Sequence, residues 1–277
     1  MKKLDKEEYL IDRLSSKYIG DDGAVVGEYI YSMDAFFEDV HFKREWMSLA
    51  QIGRKAMLVN LSDAIAMNAE PKYALLTISL PYDLSTKDIN ELMDSIETTT
   101  REFGCELIGG DTVGSDKLHI SITIISQSSS PLMRNGLGVG DLLAYTGELG
   151  ESRRDLNRLF AGEKIADNSK FFEPVLRAEF ISKAREFISV GMDISDGLFC
   201  DTNKMLDYNS LGFTPILEID DEVGLSGEEY EMLIGFDIAN IEEIKRVAKE
   251  TDTPLTIFAT VTDNNDRLKC KSHHFKN

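Results

Sequence analysis

The chain has 277 residues, 42% of them hydrophobic, with 14 Phe and 9 Tyr. That is enough apolar material for one large folded unit or two smaller ones, and too much for a disordered chain. A formal charge of −19 disfavours nucleic acid and anionic membrane as partners, because both need basic surface. No apolar run reaches the ~18 to 20 residues of a membrane helix.

An acidic protein can still bind an anionic small molecule if divalent cations stand between the two sets of charges. The three cysteines, Cys105, Cys200 and Cys270, are far apart and form no CxxC. They predict a reducing, cytoplasmic setting, with neither a disulfide framework nor a structural zinc site.

In chain order, residues 4–16 predict an amphipathic helix. The two lysines before it lead into no apolar run, unlike a signal peptide. GDDGAVV (20–26) sets two acids between glycines ahead of a short strand. Such glycines permit a tight turn and close approach to a ligand, although DDG alone more often marks a solvated turn. A strand over 29–33 ends at Asp34. His41 follows among aromatics, where a lone His is commonly a packing residue.

Residues 51–69, QIGRKAMLVNLSDAIAMNA, predict one helix buried round most of its circumference. Asp63 lies in its middle. An isolated carboxylate is not left in an apolar interior, so it must be protonated, paired or metal-bound. Arg54 is too far along the helix to be its i,i+4 partner.

A strand over 73–80 and a helix over 85–103, capped by Ser85 or Thr86, come next. CELIGGDT (105–112) runs a strand into two glycines and then Asp111: a plain turn, or an approach point for phosphate or metal. A buried strand covers 118–126. QSSSPLMRNGLGVG (127–140) reads as the domain boundary, giving domains 1–133 and 134–277. Arg134 within it is a candidate phosphate contact.

A strand over 141–146 precedes glycines that open a helix over 151–160, a place that can hold a phosphate. No P-loop motif is present. A helix is expected over 173–190. MDISDGL (192–198) then sets Asp193 and Asp196 around Ser195 at the start of a helix over 198–209, where Ser195 or Asp196 could equally serve as its N-cap. A strand over 214–219, a short helix opening at 227, a helix over 241–250 and a strand over 255–261 follow. His273 and His274 read as solvated.

Five segments share one design: an Asp beside Gly or Ser, at a strand end or in a buried element. They centre on Asp22, Asp34, Asp63, Asp111 and the Asp193–Asp196 pair. All-oxygen ligand sets suit Mg²⁺ or Ca²⁺. Several Mg²⁺ ions bridging to polyphosphate would relieve the repulsion among converging carboxylates.

GDDGAVV, SMDAFFEDVHF, KAMLVNLSDAIAMNAEP, LIGGDTVG, RNGLGVGDLLAYTGELGES, MDISDGLFCD and SGEEYEML, in that order, resemble the thiamine-monophosphate kinase family of the aminoimidazole-ribonucleotide-synthetase-like superfamily. The resemblance implies an α+β chain of two α/β domains. The N-terminal domain would carry a mixed sheet forming a β-barrel-like interface in a homodimer, and the C-terminal domain would be an α/β sandwich. It implies ATP and thiamine monophosphate as substrates, with several Mg²⁺ ions.

Carried over by position, Asp22, Ser32, Asp34, Asp63, Asp111 and Asp193 resemble metal ligands, with Asp196 on a further ion. Met33 stands where the family usually has Thr, so only its carbonyl could serve. Gly110, Asp111, Arg134 and Ser195 resemble ATP contacts. His41 and Glu228 resemble contacts to the thiamine substrate. No catalytic side chain is implied. The acceptor is itself a phosphate with a second pKa of about 6, largely dianionic at neutral pH, and metal-assisted in-line transfer would give thiamine diphosphate and ADP.

Three departures stand out. The family's GGEDYEL is SGEEYEM here. Ser272 takes the place of a C-terminal aromatic. The stretch between the SDG helix and SGEEYEM is short, which predicts a trimmed C-terminal domain. Rival readings are a hydrogenase-maturation or selenophosphate-synthesis ATPase, whose functional cysteine or selenocysteine is not found here, and a non-catalytic nucleotide or thiamine-phosphate sensor.

Overall fold

The computed structural model describes residues 6–270. Ser272, His273 and His274 lie outside the described residues. Helix α1 (Lys6–Asp12) is followed by strands β1 (Ala24–Val26) and β2 (Tyr29–Phe37), then helix α2 (Leu49–Ala66) and strand β3 (Glu70–Pro81). Helix α3 (Thr86–Glu102) and strands β4 (Glu106–Ser115) and β5 (His119–Gln127) complete the first half. The second half holds β6 (Leu142–Thr146), α4 (Glu151–Phe160), α5 (Ala178–Ala184), β7 (Val190–Asp193), α6 (Leu198–Asn209) and β8 (Gly212–Pro215). It ends with α7 (Asp221–Gly224), β9 (Met232–Phe236), α8 (Ile241–Glu250) and β10 (Leu255–Thr262).

Two five-stranded sheets result. The first has the order β1-β2-β5-β3-β4 and is mixed, because β3 and β4 run parallel while its other pairs are antiparallel. The second, β7-β9-β6-β10-β8, is antiparallel throughout. Every strand of the first sheet ends by Gln127 and every strand of the second begins at or after Leu142. Both sheets are open. The barrel-like closure expected from the resemblance is absent from the described residues, and a single chain holds no dimer contact.

Helix α2 organises the molecule. It packs against β2, β3 and β5 on one side and α3 on another, and it also reaches β7 and α5 of the second half. Its residues Ile52, Ala56, Met57, Leu61 and Ala64 sit in the core with Phe36, Ile120 and Ile122. A helix hydrophobic nearly all round is stable only when covered on most sides. It begins at Leu49, two residues before the expected start, with Ser48 as its N-cap, and ends at Ala66, three before the expected end. Gln51 N–H donates to Ser48 Oγ (3.2 Å) and Ser48 N–H donates back to Gln51 Oε1 (2.9 Å), a reciprocal capping box. Gly53 is where α2 meets α3: a Cβ there would lie 2.6 Å from the Leu92 carbonyl oxygen.

Several expectations need correction. Strand β2 runs past Asp34 to Phe37, so Asp34 lies inside a strand. Likewise β4 continues through Gly109, Gly110 and Asp111, because pairing with β3 carries the backbone to Ser115. The helix expected over 173–190 shrinks to α5 and a turn at 185–187. Ahead of it, Glu173 pairs with Arg54 (2.7 Å) and Arg177 with Glu231 (2.7 Å), contacts that draw the chain along the domain faces. Residues 227–231 form no helix, since Glu228 (φ 55°) and Tyr230 (φ 53°) adopt left-handed backbone, which a right-handed helix cannot accommodate. The strand expected over 214–219 stops at Pro215.

The cysteine reading is also corrected. Cys200 on α6 and Cys270 form a disulfide across a sequence separation of 70, and Cys105 is the buried free thiol. After β10 the chain returns along α6, where Asn203 Nδ2–H donates to the Leu268 carbonyl and Leu268 N–H donates to Asn203 Oδ1, both at 2.9 Å. That return path brings together two cysteines whose spacing alone gave no hint of it.

Candidate active site

Three carboxylates from three elements converge. One oxygen each from Asp22, Asp63 and Asp193 lies within 4.8 Å of the others. Asp22 comes from the glycine-flanked turn before β1, Asp63 from the buried last turn of α2, and Asp193 from the end of β7. Ser62 Oγ–H donates to Asp193 Oδ2 at 2.6 Å, joining α2 to β7 beside the cluster.

Burial pushes the Asp63 carboxyl well above the usual carboxylate range, and the negative charges of Asp34, Asp193 and Asp22 push it the same way. Burial does the same to Asp193, reinforced chiefly by Asp22, with Ser62 opposing. Like charges this close disfavour joint ionisation unless a cation is supplied. Arg134 supplies part of it. Its guanidinium Nη2 pairs with Asp22 Oδ1, and its backbone N–H donates to Asp21 Oδ1 at 2.6 Å.

The donor set fits a hard divalent cation. All the atoms are oxygens, and two of those nearby, Asp22 Oδ2 and Ser32 Oγ, are buried with no hydrogen-bond partner. Orphaned buried acceptors of this kind need an ion or water. Ser32 (4% exposed) and Asp34 share one face of β2, while Met33 (65% exposed) points its side chain the other way. Asp34 N–H donates to Asn60 Oδ1 at 2.8 Å, and Asn60 Nδ2–H donates to the Ala56 carbonyl at 2.8 Å. Helix α2 thus positions β2 as well as Asp63.

Asp196 lies apart from this trio. It pairs with Lys204 of α6, and its N–H donates to Asp201 Oδ2 at 3.0 Å. Ser195, next to it, accepts a hydrogen bond from Glu228 N–H through its carbonyl (2.8 Å). Gly110 and Asp111 stand exposed on β4, the edge strand of the first sheet, and within one chain Asp111 is outside the carboxylate trio.

His41 and Lys55 both lie against Phe36, and Lys55 pairs with Glu228. His41 Nδ1 accepts from Phe37 N–H at 3.0 Å, which leaves Nε2 as the protonated nitrogen of the neutral ring. The His41 ring stacks on Phe36 with centroids 5.9 Å apart. Lys55 Nζ lies 5.6 Å from the Phe36 ring centroid and 2.6 Å from Glu228 Oε2. The altered SGEEYEM motif is held by matched replacements. Ser226 Oγ–H donates to Glu229 Oε1 at 2.5 Å, and that oxygen also accepts from Gly150 N–H at 2.7 Å. Glu231, fully buried, pairs with Arg177 and Lys170.

Sequence reasoning missed Lys55, Asn60, Ser62 and Asp201 as parts of this site. Their signal was polarity inside otherwise apolar, buried segments: Lys55, Asn60 and Asp201 are 0% exposed and Ser62 is 2% exposed.

The family model for AIR synthase related protein, N-terminal domain, matches residues 20–127. The thiamine-monophosphate kinase of Aquifex aeolicus (strain VF5) is 32% identical over 203 residues, 69% of this chain. The chain spans 66% of that relative's own length. The thiamine-monophosphate kinase of Corynebacterium glutamicum is 30% identical over 230 residues, 74% of this chain and 70% of the relative. A solved structure described as AaThiL complexed with AMPPCP and TMP shares the fold, with a TM-score of 0.83 at 24% identity, covering 96% of this chain and 94% of that one.

Residues 20–127, which carry Asp22 and Asp63 of the carboxylate trio, thus match the AIR-synthase-related N-terminal domain. Within that class, the chain belongs to the thiamine-monophosphate kinase family.

Proposed function

We propose that this protein transfers the γ-phosphoryl group of ATP to thiamine monophosphate, giving thiamine diphosphate and ADP. The observation that carries the reading is the convergence of Asp22, Asp63 and Asp193 within 4.8 Å. Asp22, Asp63 and Asp193, with Ser32, Asp34 and the Met33 carbonyl beside them, would hold Mg²⁺, and Asp196 a further ion. Bound there, Mg²⁺ would supply charge neutralisation for the phosphoryl oxygens of donor and acceptor.

The chain's own residues then bind and orient. Arg134 and Ser195 flank the trio from the second half and are assigned to ATP. His41 and Glu228 are assigned to the thiamine moiety, Glu228 through its carboxylate. No side chain need remove a proton, because the acceptor oxygen is already ionised at neutral pH.

Asp111 and Gly110 join an ATP site in this reading only if a second copy of the chain brings β4 to it. Homodimerisation is therefore part of the proposal. The exposed Ile108 and Val113 on that edge strand are consistent with a covered surface. Domains 1–133 and 134–277 belong to the same reading, as does a cytoplasmic site of action, which rests on the family likeness because the Cys200–Cys270 disulfide removes the cysteine argument for it. Among the described residues no helix is long and apolar enough to cross a membrane.

The test is a coupled assay of purified protein with Mg-ATP and thiamine monophosphate, thiamine or aminoimidazole precursors side by side. Thiamine diphosphate formed only with the monophosphate, and abolished by EDTA, supports the proposal. ADP release without thiamine diphosphate would instead point to another ATPase of the superfamily. Binding without turnover would mark a sensor.

A further inference from the structure

We infer that Lys55 is a positioning residue that sets Glu228 for the organic half of the acceptor substrate. The inference rests on the function proposed above and extends it to a residue with no assigned role.

Lys55 lies on α2, eight positions before Asp63, about 12 Å from it along the helix axis. Its side chain is 0% exposed, and Nζ lies 2.6 Å from Glu228 Oε2. It also lies 4.0 Å from the centroid of the Phe171 ring and 5.6 Å from that of Phe36. A buried ammonium is costly unless paired. Here one carboxylate and two aromatic faces provide the compensation.

Glu228 is the unusual member of the pair. It is non-glycine with φ 55°, a backbone state that persists only when its surroundings enforce it. Its N–H donates to the Ser195 carbonyl (2.8 Å), and its own carbonyl accepts from Ser152 Oγ–H (3.0 Å). The backbone is therefore anchored to the SDG loop and to α4. The side chain is 27% exposed, so part of it remains accessible to a ligand. Lys55 holds it by one oxygen, Oε2, and leaves the other to accept from a ligand donor. The pair spans 173 residues and ties α2 to the second half across the face that His41 shares through Phe36.

The ligand chemistry that fits is a flat heteroaromatic carrying an N–H donor. The carboxylate oxygen left over would accept from it, and Lys55 would keep the carboxylate aimed. Lys55 acts through Glu228 in this arrangement, so its loss should weaken one substrate and spare the other.

The experiment is steady-state kinetics on the full chain with Lys55→Met, Glu228→Ala and the double variant. Lys55→Met is expected to raise KM for thiamine monophosphate on the order of tenfold, with KM for ATP within about twofold of wild type. The double variant should be no worse than Glu228→Ala, because Lys55 acts through Glu228. Equal rises in both KM values, or a double variant that multiplies the single effects, would overturn the inference. Should Lys55→Met lose a cooperative melt, Lys55→Gln carries the same comparison. If the wild-type chain transfers no phosphoryl group to thiamine monophosphate, the function proposal fails by itself. Calorimetric binding of thiamine monophosphate to wild type and Lys55→Gln then decides the role of Lys55: weaker binding in the variant supports it, and equal or absent binding overturns it.

Discussion

Ser62 on α2 donates its hydroxyl hydrogen to Asp193 Oδ2 on β7 at 2.6 Å, across 131 residues of sequence. The bond sits one residue from Asp63, so the helix that carries one carboxylate of the trio also aims another. Replacing Ser62 by Ala leaves a buried carboxylate oxygen without its donor. The expected cost is about 1.5–3 kcal/mol of stability, together with weaker Mg²⁺ binding. Chemical denaturation and a Mg²⁺ titration followed by thermal shift would check both; an unchanged titration would show that Asp193 needs no aiming by α2.

Asp63→Asn should separate stability from function. It removes one of several like charges that push against each other in the metal-free protein. The metal-free variant should therefore melt higher, by roughly 2 °C or more, and gain nothing from added Mg²⁺. Turnover should fall on the order of 100-fold. Near-normal turnover together with a wild-type response to Mg²⁺ would remove the cation site from the proposal.

The disulfide between Cys200 and Cys270 makes a countable prediction. In denatured, unreduced protein one thiol should titrate, and three after reduction. In the native protein that one thiol, Cys105, should resist alkylation at pH 8, because burial pushes it up to about 11. Reduction should lower stability by about 4 kcal/mol if loop entropy dominates. Three thiols in the unreduced sample would show that the pair is not joined in solution.

Gly53→Ala is expected to destabilise by about 1–3 kcal/mol, since its Cβ would meet the Leu92 carbonyl at 2.6 Å and α2 would have to part from α3. Ser48→Ala, which removes the helix cap, should cost about 1 kcal/mol. Urea melts of the two variants would check the values. Wild-type stability in Gly53→Ala would mean that the two helices have slack at their crossing.

Asp63 shows how far local chemistry reaches. A carboxylate in the middle of an apolar helix demands a partner or an ion wherever that helix packs, so its unusual status was readable from residues 51–69 alone. The same holds for the oxygen-only character of the ligand set and for the seven motifs that carry the family likeness. The strands and most helices followed from periodicity, which reports the buried side of an element. Periodicity does not report what lies against that side. It failed at 173–177, where Glu173 and Arg177 are drawn to Arg54 and Glu231, and at 227–231, where left-handed Glu228 and Tyr230 break a helical-looking segment.

Only the tertiary structure decided which residues meet. Lys55 and Glu228 are separated by 173 positions, Ser62 and Asp193 by 131, and Cys200 and Cys270 by 70. Nothing in the local sequence couples such pairs. Their proximity is set by how α2 seats between two sheets and where the chain returns along α6. The residue types alone stated that charges needed compensation; the packing of the two halves named the compensating partner.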